Sequence, residues 1–88
     1  MAMHTLNAPP DSDACIASLT ALDVLIIMDA AVYLLSEARD WSALPCQVYV
    51  LAEDIDAAGL TAPASIKIID YAAWVALSTE HQQHVAWY

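Results

Sequence analysis

The sequence predicts an α/β fold: a small three-layer α/β/α domain with a mainly parallel sheet of about four strands. Three observations carry the expectation. The run "DVLIIMD" is continuously β-branched and bounded by aspartates, the pattern of a strand covered on both faces, and "CQVYVLAED" and "SIKIID" read as two further strong strands. Stretches that read as helical lie between and after them, and such alternation gives parallel strands with helices on both sides of the sheet. The chain has 88 residues, enough for one core and hence one domain spanning 1–88.

In order, "AMHTLN" suits a short first strand. "PPDSDACIASLTAL" opens with Pro and then Asp/Ser, a helix-start signal, and places Ile16, Leu19 and Leu22 at helical spacing. "DVLIIMD" is the second strand and "AAVYLLSEA" a short helix. "RDWSALP" connects to the third strand, "CQVYVLAED". "IDAAGLT" allows one or two helical turns closed by Gly59. "SIKIID" is the fourth strand, and "DYAAWVALSTEHQQ" a helix with Asp70 as N-cap. The closing "HVAWY" is too apolar for an unattached tail.

Composition narrows the function. Apolar residues make up 60% of the chain and charged residues 15%, against roughly 45–50% and 25% in ordinary chains. A domain this small cannot hide so much apolar surface by itself. No run approaches the roughly 20 residues needed to span a bilayer, and the first residues lack the basic and apolar regions of a signal peptide. A cytoplasmic oligomer is therefore expected. The net charge is −9, with Arg39 and Lys67 the only basic side chains. Nucleic-acid affinity comes from Lys and Arg, and an anionic membrane repels acidic chains, so neither is an expected direct partner. Two cysteines in such a setting read as reduced thiols.

Ligands of parallel sheets bind beyond the carboxyl ends of the strands, here Asn7, Asp29, Glu53, Asp54 and Asp70. The single glycine, Gly59, excludes Gly-rich dinucleotide and phosphate loops. Strand-end aspartates can hold Mg²⁺ beside a lysine, but Lys67 falls mid-strand, so helix capping is the favoured role. This counts against a receiver-like or nucleotide-binding module. His81 and His84 are one turn apart without an evident third ligand, which favours a solvated helix end over a zinc site. A hydrogen-bonded imidazole is expected at His4. No metal or cofactor is expected.

Cys46 begins a buried strand and reads as a packing residue. Cys15 falls near the first turn of a helix, where the helix end lowers a thiol pKa while Asp11 and Asp13 oppose it. The expectation is an exposed thiol of near-ordinary reactivity. Tyr71, Trp74, Trp87 and Tyr88 gather towards the end of the sequence. With apolar surface in excess, they read as interface anchors.

The chain resembles the TusB/DsrH family of bacterial sulfur-relay subunits. The resemblance rests on "MHTLN" followed by Pro9, "DVLIIMDAAVYLL", "QVYVLAEDIDAAGL", "IKIIDYAAWVALSTEH" and "VAWY", and it covers nearly the whole chain. It implies a DsrEFH-like α/β subunit that assembles with homologous TusC/DsrF-like and TusD/DsrE-like subunits into a heterohexamer. In the TusBCD branch, the implied role is relay of persulfide sulfur towards 2-thiolation of the tRNA wobble uridine, with the essential cysteine in the TusD-type subunit. In the DsrEFH branch, the B-type subunit carries a cysteine in its first helix, and Cys15 in "DACIASL" falls there. The resemblance thus implies a non-catalytic subunit of a thiolation relay. The alternative is a sulfur carrier of dissimilatory sulfur oxidation with Cys15 as persulfide acceptor. The chain is shorter than the family pattern at "ASLTALD" and "RDWSALPCQ".

Overall fold

The apolar runs become the centre of one parallel sheet. In the computed structural model, which describes residues 2–36, 40–81 and 83–87 and the backbone but not the side chain of Asp11, five strands lie in the order β4-β3-β2-β1-β5. β1 is Ala2–Leu6, β2 Val24–Ile27, β3 Gln47–Leu51, β4 Ile66–Ile69 and β5 Gln83–Trp87. Every neighbouring pair is parallel. The expected class holds, but the count of four strands becomes five. The residues read only as too apolar for a tail form β5, which pairs with β1 so that Met3 faces His84 and Leu6 faces Trp87.

Chain direction explains the layers. From β1 to β4 the chain steps across the sheet in one direction, and right-handed crossovers put all those connections on one face. They are α1 (Ser12–Ser18), a 3₁₀ helix over Asp29–Ser36, and α2 (Ala52–Ala58). The step from β4 to β5 runs back across the whole sheet, so the same rule sends α3 (Tyr71–Glu80) to the opposite face. Burial agrees. Leu6, Leu25, Ile27, Val48, Val50 and Ile66 form one core with Cys15, Leu19, Val32, Leu35 and Ile55 from the first set of connections. The alternate strand residues Met3, Ile26 and Leu51 are also buried but point to the α3 side. α3 alone serves that layer, and none of its residues is fully buried. Its least exposed positions are Ala73, Trp74, Leu77 and Ser78, one helical stripe.

Several boundaries differ from the sequence reading. A 3₁₀ turn at Pro9–Asp11 leads into α1, which stops at Ser18 rather than reaching Leu22. The cause is Asp23: its carboxylate accepts the Thr20 N–H at 2.9 Å, and its own N–H donates to the Thr20 carbonyl at 3.1 Å. These bonds close a turn and leave Leu22 67% exposed. The segment after β2 winds as a 3₁₀ helix over Asp29–Ser36, and its first residue, Asp29, is left-handed (φ 51°). α2 begins at Ala52, sooner than "CQVYVLAED" suggested, and ends as expected at Gly59, whose φ of 69° suits a residue without Cβ. Asp70 caps α3 by accepting the Ala73 N–H at 2.8 Å.

Candidate functional site

At the carboxyl ends of β1, β2 and β3, three polar side chains tie successive connections together. The Asn7 amide donates to Asp29 Oδ2 at 2.8 Å, and the Asp29 backbone N–H donates to Asp54 Oδ2 at 2.9 Å. Asp29 and Asp54 are thus cross-links between elements, not caps of their own helices, whereas Asp70 is a cap. Beside them lies an open cleft of about 340 Å³ lined by Asp29, Ala30, Val32, Tyr33, Asp54, Ala57 and Ala58. Lys67 is mid-strand and exposed. Among the described residues, no three His, Cys, Asp or Glu side chains gather with metal-binding geometry.

Cys15 corrects the expectation of an exposed thiol. It is the fourth residue of α1 and fully buried in the core with Leu6, Leu19 and Leu25. Its place near the first turn of the helix is as expected, but that position faces the sheet, on the same side as Leu19 four residues on. Cys46 sits immediately before β3, half-buried against the same core, in keeping with a packing role. Burial pushes its thiol pKa up, and the Asp23 charge adds to the effect.

The structure also builds a buried polar cluster of which sequence reasoning saw only His4. His4 Nε2 lies 3.4 Å from Asp23 Oδ2, with both side chains buried. The Trp87 indole N–H donates to His4 Nδ1 at 3.1 Å, the two ring planes nearly parallel at 16°. Asp23 accepts from the Ala2 N–H at 2.9 Å as well as from Thr20. Burial raises the Asp23 pKa, but the Thr20 and Ala2 backbone N–H groups, the Thr20 hydroxyl and His4 together outweigh burial, and the carboxyl falls below its ordinary value. The one sequence signal was the placing of His4 and Trp87 in short apolar segments at opposite ends of the chain. Nothing local announced that those segments would pair.

The three described aromatic candidates do not form one group. Tyr71 and Trp74 meet edge to face at 6.4 Å on α3, with Tyr71 47% exposed. The Trp74 indole N–H is buried without an acceptor among the described residues. Trp87 is half-buried and held by His4, and Tyr88 lies outside the described residues, as does Arg39. Val75, one turn beyond Tyr71, is 51% exposed, and Ile68 on the edge strand β4 is 56% exposed. His81 and His84 do not share a helix end. His81 follows α3 and donates from Nδ1 to the Leu77 carbonyl at 2.8 Å, while His84 lies on β5 and directs Nε2 at the Ser78 and His81 carbonyls.

A five-stranded parallel sheet, a carboxyl edge that carries Asp29, Asp54 and Asp70, and apolar side chains left on the outside define a small parallel α/β domain. Comparison with known proteins agrees. The family model described as DsrH like protein matches residues 8–84. Protein TusB of Erwinia tasmaniensis is 33% identical over 94 aligned positions, covering 97% of this chain and 99% of that protein. Protein TusB of Pectobacterium parmentieri is 32% identical and that of Escherichia coli 34% identical, each with the same coverage. The chain belongs to the TusB/DsrH family of sulfur-relay proteins. No helix among the described residues is long and apolar enough to cross a membrane.

Proposed function

We propose that this chain is a non-catalytic subunit of a cytoplasmic sulfurtransferase complex that relays persulfide sulfur for 2-thiolation of the tRNA wobble uridine. In that complex it assembles with homologous TusC/DsrF-like and TusD/DsrE-like subunits as a heterohexamer. The observation that carries this reading is the burial of Cys15. A relay thiol must meet its donor as a thiolate, and Cys15 lies in the apolar core. The near full-length similarity to proteins named TusB supports the thiolation branch. The exposed Tyr71, Val75 and Ile68 support an assembly role, with Tyr71, Trp74, Trp87 and Tyr88 as the interface candidates. The −9 charge supports contact with tRNA only through partners.

The alternative, a DsrH-type sulfur carrier for sulfur oxidation, draws on the place of Cys15 in the first helix and on the family match. One experiment separates the two. The tagged chain is purified with its partners, and a Cys15→Ala complex is compared with wild type in sulfur transfer from a persulfidated donor. Unchanged transfer to tRNA supports the structural subunit. Stoichiometric sulfur on Cys15, with transfer lost in the variant, would replace that reading with the carrier.

A further inference from the structure

The arrangement of His4, Asp23 and Trp87 fixes where each proton sits. An indole N–H can only donate, so the His4 nitrogen facing Trp87, Nδ1 at 3.1 Å, carries no hydrogen. The ring proton of neutral His4 therefore lies on Nε2, the nitrogen that stands 3.4 Å from Asp23 Oδ2. A second proton has only Nδ1 to occupy. Once there, two N–H groups confront each other at a distance that suited one donor and one acceptor.

The surroundings decide which side yields. His4 is 5% exposed and Asp23 8% exposed. The Asp23 carboxylate is pinned by the Ala2 and Thr20 backbone N–H groups and attracts an imidazolium. Trp87, by contrast, is half-buried at the end of a strand whose residues Gln83–Ala86 are all exposed. The other groups around His4 are few. β2 brings Leu25 alongside it, and β5 brings Val85, with His84 on the opposite face of that strand. α1 contributes Cys15 to the core on that side of the sheet, while Asp13 on that helix is exposed. Cys46, towards β3, feels the Asp23 charge. Among the described residues, Asp23 is the carboxylate paired with His4.

We propose that His4 is a proton-operated latch: neutral, it holds β5 to β1 through Trp87, and protonated, it pairs with Asp23 and releases Trp87 and the strand that carries it. The consequence is a subunit whose β1 edge opens in mild acid while the remaining four strands stay folded.

Hydrogen exchange of the full chain, in the assembly state in which it purifies, tests this. Measurements at pH 7.5 and 5.0 bracket the interval in which imidazoles change charge, and each rate is corrected for the intrinsic pH dependence of exchange. The expected result is a loss of protection of about tenfold or more at residues 83–87 at the lower pH, with β2 and β3 unchanged. His4→Asn keeps an acceptor near the Nδ1 position and cannot take up the proton, so it should hold β5 equally at both values. Should that variant fail to fold, Trp87→Phe removes the opposing donor and should make β5 protection independent of pH. Equal protection of wild-type β5 at both pH values, loss of β5 together with β2 and β3, or an undiminished acid effect in the folded variant would each overturn the latch.

Discussion

If Cys15 is a core residue, its chemistry in the native chain is limited by how often the core opens. The perturbation is alkylation with iodoacetamide at pH 8, and the readout is the rate of mass increase on each cysteine-containing peptide. Reaching the Cys15 sulfur requires α1 to lift from the sheet, since the residue is fully buried between that helix and Leu6 and Leu25. Lifting also exposes Leu19, which is 8% accessible. Re-exposing a buried leucine costs about 1.5–3 kcal/mol, and the smaller cysteine with the surface beneath it adds about as much again, for a total of about 3–6 kcal/mol. An opening of that size slows modification by roughly 10²- to 10⁴-fold relative to an exposed thiol. Cys46, half-buried and outside the helix, should react first and serves as the internal reference. Native Cys15 labelled as fast as a small-molecule thiol would refute the reasoning and restore the carrier reading. The same burial means that Cys15→Ser should destabilise the fold by about 1–2 kcal/mol by placing a hydroxyl in an apolar site, so Cys15→Ala is the better test of function.

Asp23→Asn should cost about 2 kcal/mol in denaturant unfolding, because the carboxylate serves two backbone donors and faces His4. Since folding lowers the Asp23 pKa, its contribution is present above the ordinary aspartate value near 4 and is lost as pH falls through the lower native value. Wild type should therefore lose stability below about pH 4 more steeply than the variant, and parallel curves would contradict the assignment. A Tyr71→Ala and Ile68→Ser double variant should weaken partner assembly by about 2 kcal/mol or more if these exposed side chains are anchors, measured by sedimentation of the co-purified complex. The isolated chain should not retain tRNA in a filter assay at any salt concentration, given a charge of −9; salt-dependent retention would contradict this.

How legible the molecule was depended on whether the deciding contact was local. β2, β3 and β4 announced themselves because each is a short run rich in β-branched and aromatic residues, a local signal that holds even for the edge strand β4, where Lys67 and Ile68 are exposed. The cap at Asp70 was equally local, a bond to a residue three positions on. The end of α1 was not. Leu19 and Leu22 have helical spacing, but Asp23 draws Thr20 into a turn and is itself held by Ala2, 21 residues away. β5 was missed because Gln83 and His84 give it no apolar alternation, and its partner lies at the other end of the sequence. The inward turn of Cys15 was readable in principle, since it lies four residues before Leu19 and shares that residue's core-facing side, but weighing the helix end and Asp11 and Asp13 drew attention away from the spacing. Trp87 stands apart from Tyr71 and Trp74 for a similar reason, since the crossover that includes α3 carries it to the far edge of the sheet, which its proximity in sequence does not announce.

The strand order has a consequence for synthesis. β1 sits between β2 and β5, yet β5 is translated only after the other four strands. Through most of translation, one side of β1 therefore carries unpaired peptide groups that any extended segment can occupy. The pairing that finally covers it joins the most widely separated residues in the sheet, and contacts of that kind close slowly. A nascent chain of this protein is thus open to aggregation along β1 until its closing residues arrive, and nonsense or frameshift truncations that remove them should yield insoluble product although four of the five strands are intact.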